Sequence, residues 1–151
     1  MQTWITDFDF LKSAKNLDKK RLHAQIYEGI HILASLLDCN NKLINPKRSV
    51  KNHPVAKLWS GYENELFNYI DIHMAVIDPC YIIKNNINTL NLLLLADIGK
   101  FHINEQFVIP NWISPDLIRV HRSVLIQKKP EYYKDKWPDI PDNLIMRYNW
   151  R

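Results

Sequence analysis

Between Asp18 and Leu37, apolar residues recur at helical spacing: Leu22, Ile26, Gly29, Leu33 and Leu37. An α-helix gathers residues spaced this way onto one side, so the stretch predicts a helix with a buried stripe. Asp18 stands at the N-cap position, where a side-chain oxygen can meet the first free N–H groups. A long amphipathic helix must lie against other apolar elements, and the rest of the chain supplies them. The 151 residues include 3 glycines against 8 prolines, and 46% are hydrophobic. Sheet-rich folds need more glycine in their turns, so this balance predicts helices joined by proline-marked loops. The length fits one domain, residues 1–151, with enough apolar surface for a core.

Other elements follow from caps and prolines. A short helix over about Phe8–Lys15 is expected after Asp7, its cap. Asn40–Lys51 reads as a polar loop containing Pro46. Pro54 opens a second long helix that turns Val55, Leu58, Trp59, Tyr62, Leu66, Tyr69 and Ile70 inward and ends before Pro79. A third covers Thr89–Ile98, and residues 99–113 fit a strand or a loop. Ser114-Pro115-Asp116 combines a cap, a proline at the first helical position and an acid in the first turn. The helix it opens reaches Lys128 and Lys129. From Pro130 onward, an extended aromatic and basic segment is expected to lie over the body. The expected fold is mainly α: a compact, single-domain helical protein.

The formal charge is +4, and its distribution says more than its sum. No Asp or Glu falls between Cys39 and Tyr62, where Lys42, Lys47, Arg48, Lys51 and Lys57 accompany His53. Lys12, Lys15, Lys19, Lys20 and Arg21 form a second basic run, and Arg119, Arg122, Lys128 and Lys129 a third. Each could be a solvated helix face; together they point to a polyanion, bound by phosphate contact and counterion release. Two scattered cysteines make neither a disulfide framework nor a zinc site. No glycine-rich phosphate loop, metal-ligand spacing or Ser/His/Asp signature is present, so no cofactor is expected. No apolar run reaches the roughly 18 residues of a membrane span. The N-terminus lacks a secretory pattern. The expectation is a monomer in the cytoplasm, the nucleoid or the interior of a virus-infected cell, with double-stranded DNA as partner and no membrane.

Four constellations could carry chemistry. Arg21, Gln25 and Glu28, spaced i, i+4, i+7, share one face of the long helix beside its apolar stripe. That face is either a solvated stripe with intrahelical pairing or a catalytic carboxylate held by polar neighbours. An ionised Glu could stabilise the oxocarbenium charge of N-glycosidic cleavage or shuttle its proton. Asn52-His53-Pro54 opens a helix whose free N–H groups, with Arg48 and Lys51 alongside, could take a phosphate; simple capping is the alternative. His121-Arg122-Ser123, with Arg119 and Lys129 on one flank, suits phosphate contact or a solvated basic face. Tyr132, Tyr133 and Trp137, beside Lys134 and Lys136, could stack on bases.

In order along the chain, several motifs resemble the pyrimidine-dimer DNA glycosylases of the phage endonuclease V type. They are Met1-Gln2-Thr3, Asp9-Phe10, Ser13-Ala14, Leu17-Asp18, Lys20-Arg21-Leu22, Gln25, Glu28 and Ile32-Leu33. Asn52-His53-Pro54, Trp59-Ser60-Gly61-Tyr62-Glu63, His121-Arg122-Ser123 and the stretch Lys128–Tyr133 continue the resemblance. It implies a compact helical enzyme that flips a base from the duplex and attacks the sugar with its N-terminal amine. A helix-borne Glu is essential in such enzymes, and Arg and His residues grip the DNA backbone. By resemblance, Glu28 is that Glu, with Arg21 and Gln25 holding or tuning it. Lys20, Arg48, Lys51, Asn52, His53, His121, Arg122, Ser123, Lys129 and Tyr132 are the expected DNA contacts. Gln2 departs from the pattern, because initiator methionine is removed before small residues. Either Met1 itself carries the nucleophilic amine and AP-lyase activity, or Glu28 activates a water. The base could be a photodimer, another damaged pyrimidine or a hypermodified cytosine of viral DNA. A non-catalytic DNA-binding module is the remaining alternative.

Overall fold

A computed structural model describes residues 1–38, 48–77 and 107–147. Seven helices lie in these residues: α1 (Phe10–Asn16), α2 (Lys19–Leu36), α3 (Arg48–Lys51), α4 (Pro54–Trp59), α5 (Glu63–Val76), α6 (Pro115–Lys128) and α7 (Pro130–Tyr133). No strand occurs among the described residues, so the protein is mainly α. The expected helix at Thr89–Ile98 lies outside them, as does most of the loop expected over Asn40–Lys51. The described end of that loop is the helical turn α3.

α2 begins where its cap predicts. The Asp18 side chain accepts from the N–H groups of Lys20 and Arg21, satisfying two donors that the helix cannot. The same carboxylate accepts from the Tyr133 hydroxyl at 2.6 Å and pairs with Arg21 at 2.5 Å. Burial pushes the Asp18 carboxyl up, but the hydrogen bonds from Tyr133 and Arg21 outweigh it and leave the pKa below its ordinary value. The cap thus ties α2 to the C-terminal segment as well as starting the helix.

α2 and α5 cross closely at Gly29. A Cβ built there would sit 2.6 Å from Ile70 Cγ1, inside van der Waals contact. Beside that crossing, Phe10, Trp59 and Tyr69 pack edge-on or tilted, and Trp112 meets the Trp59 ring with centroids 4.9 Å apart.

Three local expectations are corrected. Asp9, not Asp7, caps α1, accepting from Leu11 and Lys12; Asp7 instead faces Arg122 at 3.7 Å. The single helix expected from Pro54 is two, because Gly61 takes φ +84° between α4 and α5. That left-handed conformation ends a helix, and glycine adopts it without strain. The segment from Pro130 opens with a helical turn and is partly internal. Tyr133 and Trp137 are buried and stack with an interplanar angle of 7°. Arg21 and Arg122 lie over the outer members of that stack, at 5.8 Å from the Tyr133 ring and 5.4 Å from the Trp137 ring.

Two measurements test this packing. Gly29→Ala should destabilise by about 1–3 kcal/mol in urea denaturation, because overpacking at Ile70 exceeds the gain in helix propensity. Burial lowers the pKa of His73 and of His121 from 6.5 to about 4. Unfolding lets both rings take a proton below pH 6.5, so stability is complete above that pH and falls towards pH 4. The melting temperature followed by circular dichroism should drop by more than about 10 °C between pH 7 and pH 4.5.

Candidate active site around the chain start

Residues 1–6 form no regular secondary structure, yet Thr3, Trp4, Ile5 and Thr6 are buried. Buried peptide groups without a helix or sheet need other partners. Here side chains from five helices hold the segment. From α1, the Ser13 hydroxyl accepts the Thr6 N–H at 2.8 Å. From α2, Glu28 Oε2 accepts the Gln2 N–H at 2.6 Å, Gln25 Oε1 accepts the Trp4 N–H at 2.7 Å, and Gln25 Nε2 donates to the Gln2 carbonyl at 3.0 Å. From α5, the Tyr69 hydroxyl lies 3.1 Å from the Trp4 carbonyl and 2.7 Å from Gln25 Oε1. From α4, Trp59 Nε1 donates to the Thr3 hydroxyl at 3.0 Å. From α6, His121 Nδ1 meets the Ile5 N–H at 2.9 Å, and Arg122 Nε donates to the Thr6 carbonyl at 2.8 Å.

This lattice sets the position of the first residue. The Met1 α-amine is three bonds from the Gln2 nitrogen that Glu28 holds. Its positive charge acts on both Glu28 and His53, so all three groups lie within electrostatic reach of the chain start. Met1 is 40% exposed, which leaves that site open to a ligand. Burial raises the Glu28 pKa, and the Gln2 N–H and the amine charge only partly oppose it. Burial also raises the Tyr69 pKa, and the Glu28 charge adds to the effect. Tyr69 therefore stays a neutral hydrogen-bond donor beside Gln25. His53 caps α4, accepting the Val55 N–H at Nδ1. Its neutral ring then carries the proton on Nε2, free to donate to an acceptor such as a phosphate oxygen. Burial, then the amine charge, lowers its pKa.

Residues 1–78 match the family model for pyrimidine dimer DNA glycosylase. The chain belongs to that family. No curated protein and no solved structure matches it. The matched span holds Met1, Gln25, Glu28 and His53, and the family acts on DNA. Among the described residues of this glycosylase-family chain, no three His, Cys, Asp or Glu side chains converge as metal ligands. No described helix is long and apolar enough to cross a membrane.

The expected site residues thus separate into groups. Glu28, Gln25 and Met1 come together, and His53 lies within electrostatic reach of the amine. Arg21 turns back to Asp18 and Tyr133, away from Glu28. His121 and Ser123, expected at phosphates, are buried with their polar atoms committed inside. Ser123 donates to the Pro141 carbonyl and accepts the Leu144 N–H at 3.1 Å, fastening the C-terminal segment. Arg122 is held by Thr6, Asp7 and the Trp137 ring. Lys51 pairs with Asp38 at 2.6 Å on the surface, and Asn52 is exposed in the turn before α4. Arg48 opens α3. Trp59, Tyr69 and the Gln2 side chain were not foreseen as site residues, because their roles depend on contacts across the fold.

A cleft of about 620 Å³ runs along α2, lined by Asp18, Lys19, Lys20, His23, Ala24, Tyr27 and Lys129. The cleft follows the first turns of α2, and Glu28, one turn beyond Ala24, does not line it. The ammonium groups of Lys129 and Lys136 both lie over the Tyr132 ring, at 5.2 and 4.8 Å. These cations suit contact with a DNA backbone. Lys20→Gln and Lys129→Gln should each weaken binding equally across sequences. Each should also flatten the slope of log K against log salt by about 0.9, read by fluorescence anisotropy. Lys51→Gln, neutralising a cation already paired with Asp38, should change the slope less.

Proposed function

We propose that the protein is a DNA glycosylase that excises a damaged or modified pyrimidine, with the Met1 amine as nucleophile and Glu28 as the essential carboxylate. The Gln2 N–H on Glu28 carries this reading, because it sets the chain start against a half-buried acid. The target nucleotide is flipped out of the duplex to reach them, as base chemistry inside a stack requires. The neutral amine attacks C1′ of the sugar as the glycosidic bond breaks, and the base leaves with the bonding electrons and takes up a proton. The ionised Glu28 faces the positive charge developing on the sugar. Loss of the amine proton and opening of the sugar ring at O4′ give an imine. Removal of a C2′ proton from that imine expels the 3′ phosphate, which is AP-lyase chemistry. The raised Glu28 pKa suits a group that takes and returns protons during these steps.

His53 donates from Nε2 to a phosphate or to the base, and Lys19, Lys20, Lys129, Lys136 and Tyr132 hold the strand. The C-terminal half serves the same site, because α6 fastens residues 5 and 6. Residues 1–151 therefore act as one unit.

Glu28→Gln keeps an acceptor for the Gln2 N–H and removes the charge. Base release from irradiated or naturally modified duplexes should fall at least ~100-fold, with affinity for an uncleavable abasic duplex retained. Activity that survives unchanged refutes the role of Glu28. Borohydride should trap a covalent adduct at Met1; base release without an adduct assigns the attack to a water held by Glu28. Affinity with no released base on any substrate favours a binding module.

A further inference from the structure

His121 of α6 is buried against residues 2–5. It is 1% exposed and both ring nitrogens are engaged. Nδ1 lies 2.9 Å from the Ile5 nitrogen and 3.1 Å from the Ile5 oxygen, and Nε2 lies 3.0 Å from the Gln2 side-chain amide. The Trp4 ring meets the imidazole edge-on, with centroids 5.5 Å apart. Burial keeps the ring neutral at physiological pH. A neutral ring has one donor and one acceptor nitrogen. The Gln2 atom facing Nε2 is its amide nitrogen, so Nε2 accepts, and Nδ1 carries the proton with the Ile5 carbonyl as its acceptor. The same Gln2 amide nitrogen also donates to the Thr3 carbonyl at 3.0 Å.

Gln2 is consequently held from three directions: Glu28 takes its N–H, Gln25 its carbonyl and His121 its side chain. Thr3, Trp4 and Thr6 have anchors of their own in Trp59, Gln25, Tyr69, Ser13 and Arg122, and Ile5 is held by His121 as well. The Gln2–His121 contact is the one link by which α6 reaches the residue next to the amine. We propose that His121 and the Gln2 side chain are positioning residues, fixing the α-amine over Glu28 for attack on the sugar. The proposal rests on the amine mechanism above and extends it to a residue outside the catalytic cluster. Resemblance placed His121 on the DNA backbone; the geometry puts it behind the nucleophile. Gln2, the departure from the small residue expected there, supplies the side chain that His121 holds.

The test uses the full chain and a duplex with a ready-made abasic site, so imine formation is read without base removal. Gln2→Met preserves length and removes the hydrogen bond; Gln2→Glu preserves length and replaces the donor amide with an acceptor. Both leave a large second residue, so Met1 stays in place. Single-turnover borohydride trapping should slow about 10- to 100-fold in Gln2→Met, the loss expected when a reacting group is displaced by about an ångström. Gln2→Glu should slow trapping as well, because an ionised carboxylate has no proton to give Nε2. Affinity for an uncleavable abasic duplex and the melting temperature should change little in either variant. In a double-mutant cycle with His121→Asn, the two losses should overlap instead of adding. Equal trapping rates in Gln2→Met and the unaltered protein overturn the positioning role and leave the amine mechanism standing. Parallel losses of rate, affinity and melting temperature also overturn it, because they describe general loosening. No adduct from the unaltered protein, with base still released, removes the amine mechanism and this inference together.

Discussion

Peptide groups of a buried segment need hydrogen-bond partners, and residues 2–6 draw theirs from side chains. Glu28, Gln25, Trp59, Tyr69, His121, Arg122 and Ser13 replace the neighbouring strand that a sheet would provide. A helical protein thereby encloses an extended stretch without exposing it. The arrangement also explains why α2 buries Gln25 on what the apolar pattern marks as its polar side. Buried amides are costly without partners. Here their fixed donor and acceptor positions align one segment uniquely, which an apolar surface could not do.

The same economy governs the charges. Groups with opposed tendencies lie within a few residues of the chain start. The Glu28 pKa is raised by burial and the His53 pKa is lowered by burial and by the amine charge. Burial thus favours the neutral form of both groups, the acid of one and the free base of the other. At the other end of α2, hydrogen bonds win over burial and keep Asp18 ionised. One helix therefore presents a structural carboxylate at its start and a responsive one near its middle. The contrast comes from neighbours, since both side chains are removed from bulk water.

Much of the fold was legible in the sequence where the signal is local. Caps and prolines placed the starts of α2, α4 and α6, because an N-cap oxygen or an N1 proline acts within four residues. The break at Gly61 was missed because Trp59, Tyr62 and Leu66 keep helical spacing across it. Its evidence was one glycine among apolar residues. At the site, the spacing of Arg21, Gln25 and Glu28 gave a shared face, but spacing cannot say what covers that face. Gln25 and Glu28 are covered by the N-terminal segment, whereas Arg21 is drawn to Asp18 and Tyr133. The His-Arg-Ser motif illustrates the same limit. A basic run looks alike whether it meets phosphate or backbone carbonyls, and here His121 and Ser123 face inward.

The bonds that hold the chain start span great sequence distances: Ile5 to His121 and Thr6 to Arg122, each 116 residues apart. Contacts this remote close late in folding, after the local helices have formed. During synthesis the first residues leave the ribosome long before their partners exist. Residues 2–4 can meet their partners on α2, α4 and α5 early, but Ile5 and Thr6 have no partners on α6 until that helix is made. An unfinished or C-terminally truncated chain would keep the family's N-terminal residues and leave the second half of their segment without the α6 side chains that hold it.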